Sequence, residues 1–600
     1  MTPQTESRPL LIRWICLGAI ALIVLNALRT WPEVGRLLFL SDNDDLMRLV
    51  QVRDWLGGQD WFDTRQYRVL PPEGISMHWS RYIDAGIAAV LVPASWVLPM
   101  PQAELLTVVV WPSLLACLMV LLIGLGTNRL FGPLAALGAL VVFLTWGKLR
   151  GEFTPPRIDH HNIQMLCATA AFYLAVLPGR ERLFGALAGL ATALSLAVGL
   201  EMLPILALIP GYMALRHAFD QPGAGGWLLG YGIALAVGSP LLMAGQTAPT
   251  AWGVMYCDAL APPVLALAAT GIVATLVPVL AASVLKGPVL RILTMVVLVA
   301  LGLWLSAPLL SPCLGGPYAD VPPEVRSLIE SRMIEALSAF ELIGVLPDML
   351  GRSLLPPLVI LLFALAAAAA LWSRLDAAQR SGLALAFLVA LAGLTVALLQ
   401  IRATTLMVPA LPLLGGFLVH AFLQIPRTSG WRLPAILALA AATPTAVEEG
   451  VSSVLGRAAR TVPVTADAQP APARSPATCR SAAAMAELAS LPISTLFSSL
   501  NLGTTILAYT PHAVAAAPYH RSPDAFWNGI AALESETDMR LALARSRADY
   551  LVLCPVDAAK PYAASLLGGA LPDWLTDVTG DRQNLRVYQV DPARLAKAGP

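Results

Sequence analysis

Charge is the scarcest commodity in this 600-residue chain: Asp, Glu, Lys and Arg make up 13% of it, against roughly 25% in an ordinary soluble protein. That deficit excludes a soluble enzyme and a disordered scaffold. Charge of one sign is missing as well. With 39 basic and 38 acidic residues the net charge is +1, so no global field steers a polyanion, and nucleic acid is excluded as a partner. None of the seven cysteines forms a CxxC or CxxxC pair, which removes zinc-ribbon chemistry and a dense disulfide framework. No small-residue cleavage motif follows the first apolar run, which therefore reads as a retained signal anchor. What the chain has in abundance is hydrophobic residues, 57% of the total. It is a polytopic α-helical membrane protein, and the lipid bilayer is its first partner.

Crossing the hydrocarbon core takes about 20 apolar residues. Thirteen candidate runs occur: Leu11–Leu28, Leu105–Leu125, Phe131–Trp146, Ile163–Leu177, Leu183–Leu200, Met202–Leu215, Trp227–Met243, Val264–Leu285, Ile292–Leu310, Leu354–Trp372, Leu383–Leu399, Leu406–Leu423 and Leu433–Val447. A further stretch, Ile83–Leu98, contains Pro93 and is short enough to lie in the interface or re-enter. Cations concentrate on the cytoplasmic side of a membrane. With Arg8 and Arg13 in the cytoplasm and Ile83–Leu98 not spanning, short turns carrying Arg129, Arg180, Arg182, Arg216, Lys286, Arg291, Arg374, Arg380, Arg427 and Arg432 all fall inside. Residues 1–447 then form a membrane domain and 448–600 an outer, periplasmic domain of an inner-membrane protein. Four polar segments share that outer face: Ser41–Tyr82, Lys148–Asn162, Gly245–Pro263 and Ser311–Arg352.

Two acidic clusters stand out on this face. Ser41-Asp42-Asn43-Asp44-Asp45 puts three carboxylates within four residues, where they repel one another unless a cation offsets them. One of them suffices to cap the helix that Leu46-Met47-Arg48-Leu49-Val50 implies; the others are left for metal binding or catalysis. The second cluster is Arg157-Ile158-Asp159-His160-His161-Asn162, in which the Asp-x-His spacing brings a carboxylate oxygen and an imidazole within reach of one divalent ion. Glu335 is a third acidic candidate, with Glu201 and Glu341 as weaker rivals. Arg402 sits at a depth where an unpartnered cation is costly, which marks it as functional unless it snorkels to the headgroups. His78 and Arg81, both late in the first outer loop, are further candidates for substrate contact, as are Asp42 and Arg157.

After Val447 the composition shifts. Ala466–Thr478 is rich in Ala and Pro and reads as a linker. Helical patterns at Ser481–Leu491 and Pro523–Glu534 alternate with strand patterns at Thr504–Thr510 and Tyr550–Cys554, which predicts a small α/β domain. Within it Tyr519-His520-Arg521 groups an aromatic, an imidazole and a guanidinium suited to sugar and phosphate; an ordinary surface turn would look the same. Cys479 and Cys554 can pair if this domain is outside the cytoplasm. Cys16, Cys117 and Cys167 lie in apolar runs and read as small core residues.

The segment from Asn43 to Asp54, with Trp61-Phe62-Asp63 and Pro71-Pro72-Glu73-Gly74 after it, resembles the first acidic motif and first outer loop of oligosaccharyltransferase catalytic subunits, members of the GT-C glycosyltransferase superfamily. Thr154-Pro155-Pro156-Arg157-Ile158-Asp159-His160-His161 is similar to that family's second acidic motif in its archaeal form. Ile401-Arg402-Ala403, Pro409 and Gly415-Gly416 resemble its late span. The resemblance covers residues 11–447. It implies a GT-C fold with about thirteen spans, metal ligation by Asp44, Asp159 and His161, a catalytic part for Asp44, Asp159 and Glu335, and phosphate contact by Arg402. The family's Trp-Trp-Asp-Tyr-Gly signature is absent, since the chain has no adjacent tryptophan pair.

The expected activity is transfer of a sugar or oligosaccharide from a polyprenyl-phosphate or polyprenyl-diphosphate donor to a glycan, lipid or protein acceptor, with Mg²⁺ or Mn²⁺ as cofactor and the histidine ligand tilting the choice towards Mn²⁺. The rivals are protein glycosylation of the oligosaccharyltransferase type and a non-catalytic transporter or flippase of lipid-linked sugars. Transporters place charges at helix breaks related by internal repeats, whereas the acidic clusters here lie in outer loops and no repeat is visible.

Overall fold

The computed structural model describes residues 7–461 and 479–597; the Ala466–Thr478 linker expectation lies outside them. All thirteen apolar runs fall on helices. Among the described residues, eight helices are long and apolar enough to cross a membrane, and nine if one bent pair counts as a single span. The protein is therefore a multi-pass membrane protein.

Several expected spans are short or broken. Phe131–Trp146 becomes a 13-residue helix, Pro133–Thr145; Ile163–Leu177 and Met202–Leu215 become 16-residue helices. At about 1.5 Å per residue these fall short of a bilayer core of about 30 Å. Leu406–Leu423 is not one straight helix. A 3-10 stretch, Ile401–Met407, meets Leu411–Leu423 at 55°, across Pro409, whose ring and missing N–H interrupt a continuous helix. The last run divides into Arg432–Ala441 and Pro444–Thr461, so the expected domain limit at residue 447 falls inside a helix. The Ile83–Leu98 stretch forms the 15-residue helix Arg81–Ser95, roughly 22 Å long, packed on the 32-residue helix Met100–Phe131.

The helices differ in what they face. None of the apolar window of Pro288–Cys313 is buried within the protein, and Leu293, Val296, Val297, Trp304 and Leu305 are exposed along it. An apolar surface that large requires a non-aqueous surrounding. Inner helices pack through small residues: a Cβ on Gly416 would stand 2.7 Å from the Ala135 carbonyl oxygen, so the Leu411–Leu423 and Pro133–Thr145 helices approach at a distance only glycine allows.

The C-terminal domain is α/β, with one correction. Thr504–Thr510, expected as a strand from its Thr-Thr-Ile pattern, belongs to the helix Leu500–Tyr509. The strands Thr495–Ser498 and Ala513–Val514 that flank it run parallel, and parallel neighbours need a crossover between them. Gly503 lets this helix touch the strand side, since a Cβ there would lie 2.0 Å from the Ala516 carbonyl oxygen. The five-stranded sheet has the spatial order Ala513–Val514, Thr495–Ser498, Tyr550–Leu553, Arg586–Val590, Leu575–Asp577, the last two pairings being antiparallel. Tyr550–Leu553 is the strand expected there, and Ala482–Ala489 the expected helix. The Pro523–Glu534 pattern divides into Pro523–Asn528 and a 3-10 turn, Ala531–Leu533.

This domain docks on the first loop. Val514 N–H donates to the Arg68 carbonyl (2.8 Å) and Leu70 N–H to the Val514 carbonyl (2.9 Å), so the loop extends the sheet edge. The Leu500–Tyr509 helix lies against Asn43–Leu56. Cys479 and Cys554, whose pairing the sequence left open, are bonded, and a second disulfide, Cys257–Cys313, joins two of the polar loops. Cys16 and Cys167 are buried and Cys117 is half-buried.

Candidate functional site

Asp42 caps the Asn43–Leu56 helix, its Oδ1 accepting from Asp44 N–H at 3.4 Å. That leaves Asp44 and Asp45 in the first turn. Asp45 is buried and joins the two acidic motifs: its Oδ1 accepts from the Ile158 and Asp159 N–H groups (2.8 and 3.1 Å), and its Oδ2 from Arg157 Nη1 at 3.2 Å. The stretch following cis-Pro156 is thereby held against the start of that helix.

Arg157 is the charge hub. Its guanidinium reaches Glu152 (2.9 Å), Asp42 (3.0 Å), Asp45 (3.2 Å) and Asp159 (3.6 Å). Every one of these partners is a carboxylate of the protein itself. Beyond it, Asp159 Oδ1 pairs with His160 Nδ1 at 2.5 Å and Oδ2 lies 3.4 Å from His161 Nε2. His160 Nε2 in turn meets Glu201 Oε1 at 3.2 Å, so both its ring nitrogens are engaged. Glu201, the weaker rival in the sequence, thus belongs to the cluster through His160 and through Gln164 Nε2 at 2.5 Å.

The electrostatics of the pair are opposed. Burial works against ionising Asp159, but the imidazoles of His160 and His161 hold its carboxyl well below the usual range. Burial, reinforced by Asp159 and Asp42, pushes the Asp44 carboxyl well above it. Burial likewise raises the Tyr519 hydroxyl, and the charge of Asp44 adds to that. The Tyr519 hydroxyl donates to the Asn43 carbonyl at 3.2 Å, and Asn43 is further held by Asn501 and Thr504. The tail domain therefore braces the residue next to Asp44.

The donor set fits a divalent cation. One ligand atom each from Asp159, His160 and His161 lie within 4.8 Å of one another. Asp159 Oδ2 is buried and makes no hydrogen bond, a cost that a metal–oxygen bond would remove. The charge of Asp44, which burial and two carboxylates oppose, is what a dication beside it would offset.

The remaining sequence candidates fall elsewhere. Arg402 stands on the Ile401–Met407 turn, its Nη1 3.5 Å from the Tyr318 hydroxyl, with Glu201 and Glu335 as its nearest opposing charges. Glu335 is exposed, on a 3-10 turn whose Leu337 carbonyl accepts from Ile401 N–H at 2.9 Å; the structure groups it with Arg402. Glu341 is used in a capping box with Ser338. Arg81 is fully buried. Its guanidinium pairs with Asp84 at 2.9 Å and bonds the Trp61 and Asp63 carbonyls, beside an equally buried Arg48–Asp84 pair. It braces the loop and presents nothing to a ligand. His520 and Arg521 both grip Asp258, Arg521 through two bonds of 2.8 and 2.6 Å, and Arg521 stacks on Tyr256 at 4.2 Å. His78 faces His520 with ring centroids 4.5 Å apart. Sequence reasoning passed over Asp258 and Tyr318, because nothing local to either announces a partner tens to hundreds of residues away.

These contacts gather all four polar segments and the tail on one face. Trp61 Nε1 bonds the Gly245 carbonyl at 2.7 Å, and Arg332 reaches Glu534 of the tail at 3.2 Å. Beside the acidic hub a cleft of about 420 Å³ opens between Asn26, Asp42, Arg150, Thr154 and Arg157.

No family model matches the sequence, and no curated protein matches it. Solved structures do resemble the chain. It is similar to the archaeal oligosaccharyltransferase AglB from Archaeoglobus fulgidus in complex with an inhibitory peptide and a dolichol-phosphate, with a TM-score of 0.60, 14% identity, and 90% of this chain and 69% of that one covered. It is similar also to the Archaeoglobus fulgidus oligosaccharyltransferase in complex with Zn and sulfate, with a TM-score of 0.56, 14% identity, and coverage of 89% and 68%. The same enzyme tethered to an acceptor peptide containing the NVT sequon matches with a TM-score of 0.52, 13% identity, and coverage of 90% and 69%. The chain shares the fold of these oligosaccharyltransferase structures.

Proposed function

We propose that this protein is a membrane glycosyltransferase that moves a sugar or oligosaccharide from a polyprenyl-phosphate or polyprenyl-diphosphate donor to an acceptor at the outer leaflet. The observation that carries the reading is the union of the two acidic motifs by Asp45, which sets Asp44 within electrostatic reach of Asp159, itself grouped with His160 and His161. Asp44, Asp159 and His161 would hold a divalent cation, Mg²⁺ or Mn²⁺, whose chemistry is to neutralise charge that develops on the lipid phosphate. Arg402 would bind the same phosphate, and its charge favours the departing phosphate over the intact donor. Asp44 would accept the proton of the acceptor nucleophile as its general base. Arg157, saturated by carboxylates, holds the ligands in position. The cleft beside Asp42 and Arg157 gives an acceptor room to enter.

The fold neighbours support this reading by what their structures hold: a dolichol-phosphate, Zn with sulfate, and a tethered acceptor peptide. Two disulfides among the segments that build this face suit an oxidising, periplasmic side, with the N-terminus in the cytoplasm. Cysteine labelling at Ser41 and Arg180, reporting opposite sides, tests that orientation. The absence of a Trp-Trp-Asp-Tyr-Gly signature points the acceptor away from asparagine sequons. Asp44→Ala and Asp159→Ala membranes, assayed for transfer from the lipid-linked glycan that accumulates in deletion cells, test the activity: full turnover in both variants would end the proposal.

A further inference from the structure

A second set of metal-ligand side chains converges outside the Asp159 cluster. His78 comes from the first outer loop, Asp258 from the Gly245–Pro263 segment and His520 from the tail domain. One ligand atom of each lies within 4.8 Å of the other two. The two imidazoles stand 4.5 Å apart between centroids, tilted by 52°, and His520 Nε2 is 2.7 Å from Asp258 Oδ2. Trp79, whose ring is 5.9 Å from His78 and 6.3 Å from His160, stands between this group and the Asp159 cluster.

A simple latch explains part of the arrangement. Asp258 with His520 and Arg521 would pin the tail to the loop through hydrogen bonds alone. That account leaves His78 without a purpose. Its Nδ1 is buried and makes no hydrogen bond, and burying such a group without a partner is unfavourable. Asp258 is oriented as a metal-binding carboxylate usually is, by outer hydrogen bonds: Arg521 holds both its oxygens, and the preceding residue is fixed by the Cys257–Cys313 disulfide.

We propose that His78, Asp258 and His520 bind a second divalent cation, of the Zn²⁺ class, which clamps the Tyr519–Arg521 turn of the tail domain onto two outer loops. Two imidazoles and a carboxylate are a donor set that Zn²⁺ favours, and three protein ligands leave a fourth position for water or a substrate oxygen. The site uses none of Asp44, Asp159, His161 or Arg402, so it stands or falls apart from the glycosyltransferase reading.

The test uses full-length protein in detergent, stripped with a chelator and titrated with Zn²⁺, and with Co²⁺ for its visible spectrum. The Asp159→Ala variant removes the first cluster, so whatever it still binds reports the second. That variant should take up one ion per chain with a Co²⁺ spectrum of low-coordinate N/O ligation, and Zn²⁺ should raise its melting temperature. Adding His78→Ala or His520→Ala should weaken this binding at least about 100-fold, a loss expected even for outer-sphere partners of a metal site, and abolish the thermal shift. The two substitutions lie in separate domains, so misfolding of one leaves the other to decide. An Asp159→Ala protein that binds no ion, or double variants that bind as tightly as their parent, would overturn the proposal.

Discussion

Asp44 and Asp45 are adjacent, chemically identical and close to the same second motif, yet the structure gives them opposite consequences on removal. Asp45→Ala takes the acceptor from two buried N–H donors, those of Ile158 and Asp159, and one partner from Arg157. An orphaned buried donor costs about 1–3 kcal/mol, so two of them put the loss at about 2–6 kcal/mol. Asp45→Asn keeps an oxygen for both amides and gives up the charge facing Arg157, so it should lose less than Asp45→Ala. Asp44→Ala removes a carboxyl whose charge burial, Asp159 and Asp42 all oppose, so in chelator-treated protein it should unfold no earlier than wild type. Transfer should nonetheless cease in Asp44→Ala, and in Asp45→Ala because Asp159 is no longer held. Thermal unfolding of the full-length protein in detergent, followed by intrinsic fluorescence, ranks the three variants; a donor-to-acceptor transfer assay in membranes scores function. If Asp44→Ala melts as early as Asp45→Ala, or Asp45→Ala is as stable as wild type, the assignment of one residue to chemistry and the other to architecture is wrong.

Arg402→Ala should lower kcat/KM for the lipid donor by about 10²–10³-fold, the range found when one charge-stabilising donor is lost, and Arg402→Lys should recover part of it; unchanged kinetics would take Arg402 out of the site. Thiol counting separates the two cysteine classes: denatured but unreduced protein should react with maleimide at Cys16, Cys117 and Cys167 alone, and reduction should raise the count from three to seven. Gly503→Ala should destabilise the tail by about 3 kcal/mol, because its Cβ would meet the Ala516 carbonyl and overpacking of this kind is rarely absorbed; faster proteolysis within residues 479–597 reads it out, and a normal digestion rate would count against that close contact.

Much of the outline could be read without coordinates because it depends on local composition. An apolar run has few ways to satisfy its backbone in lipid other than a helix, so all thirteen runs fall on helices, some of them in two pieces, and Asp42 caps as its position before Leu46-Met47-Arg48 suggests. The two acidic motifs were legible for the same reason: several carboxylates in a few residues are costly wherever the chain goes. Spans such as Leu406–Leu423 were less legible, since hydropathy counts residues and is blind to a 55° bend at Pro409.

What tertiary structure decided is which of several equivalent side chains does which job. Sequence favoured Arg81 as a ligand contact, but Asp84 and two loop carbonyls enclose it. The Thr504–Thr510 pattern suited a strand, but two parallel strands on either side required a helix to join them. His160 and His161 look alike in the chain; Asp159 and Glu201 occupy both nitrogens of the first, whereas the second meets Asp159 Oδ2 through Nε2 at 3.4 Å. Asp258, Tyr318 and Asn43 acquire partners from segments tens to hundreds of residues away. Composition and periodicity dictate what a segment must bury, whereas the identity of a polar partner depends on where another segment ends up, and only the folded chain carries that information.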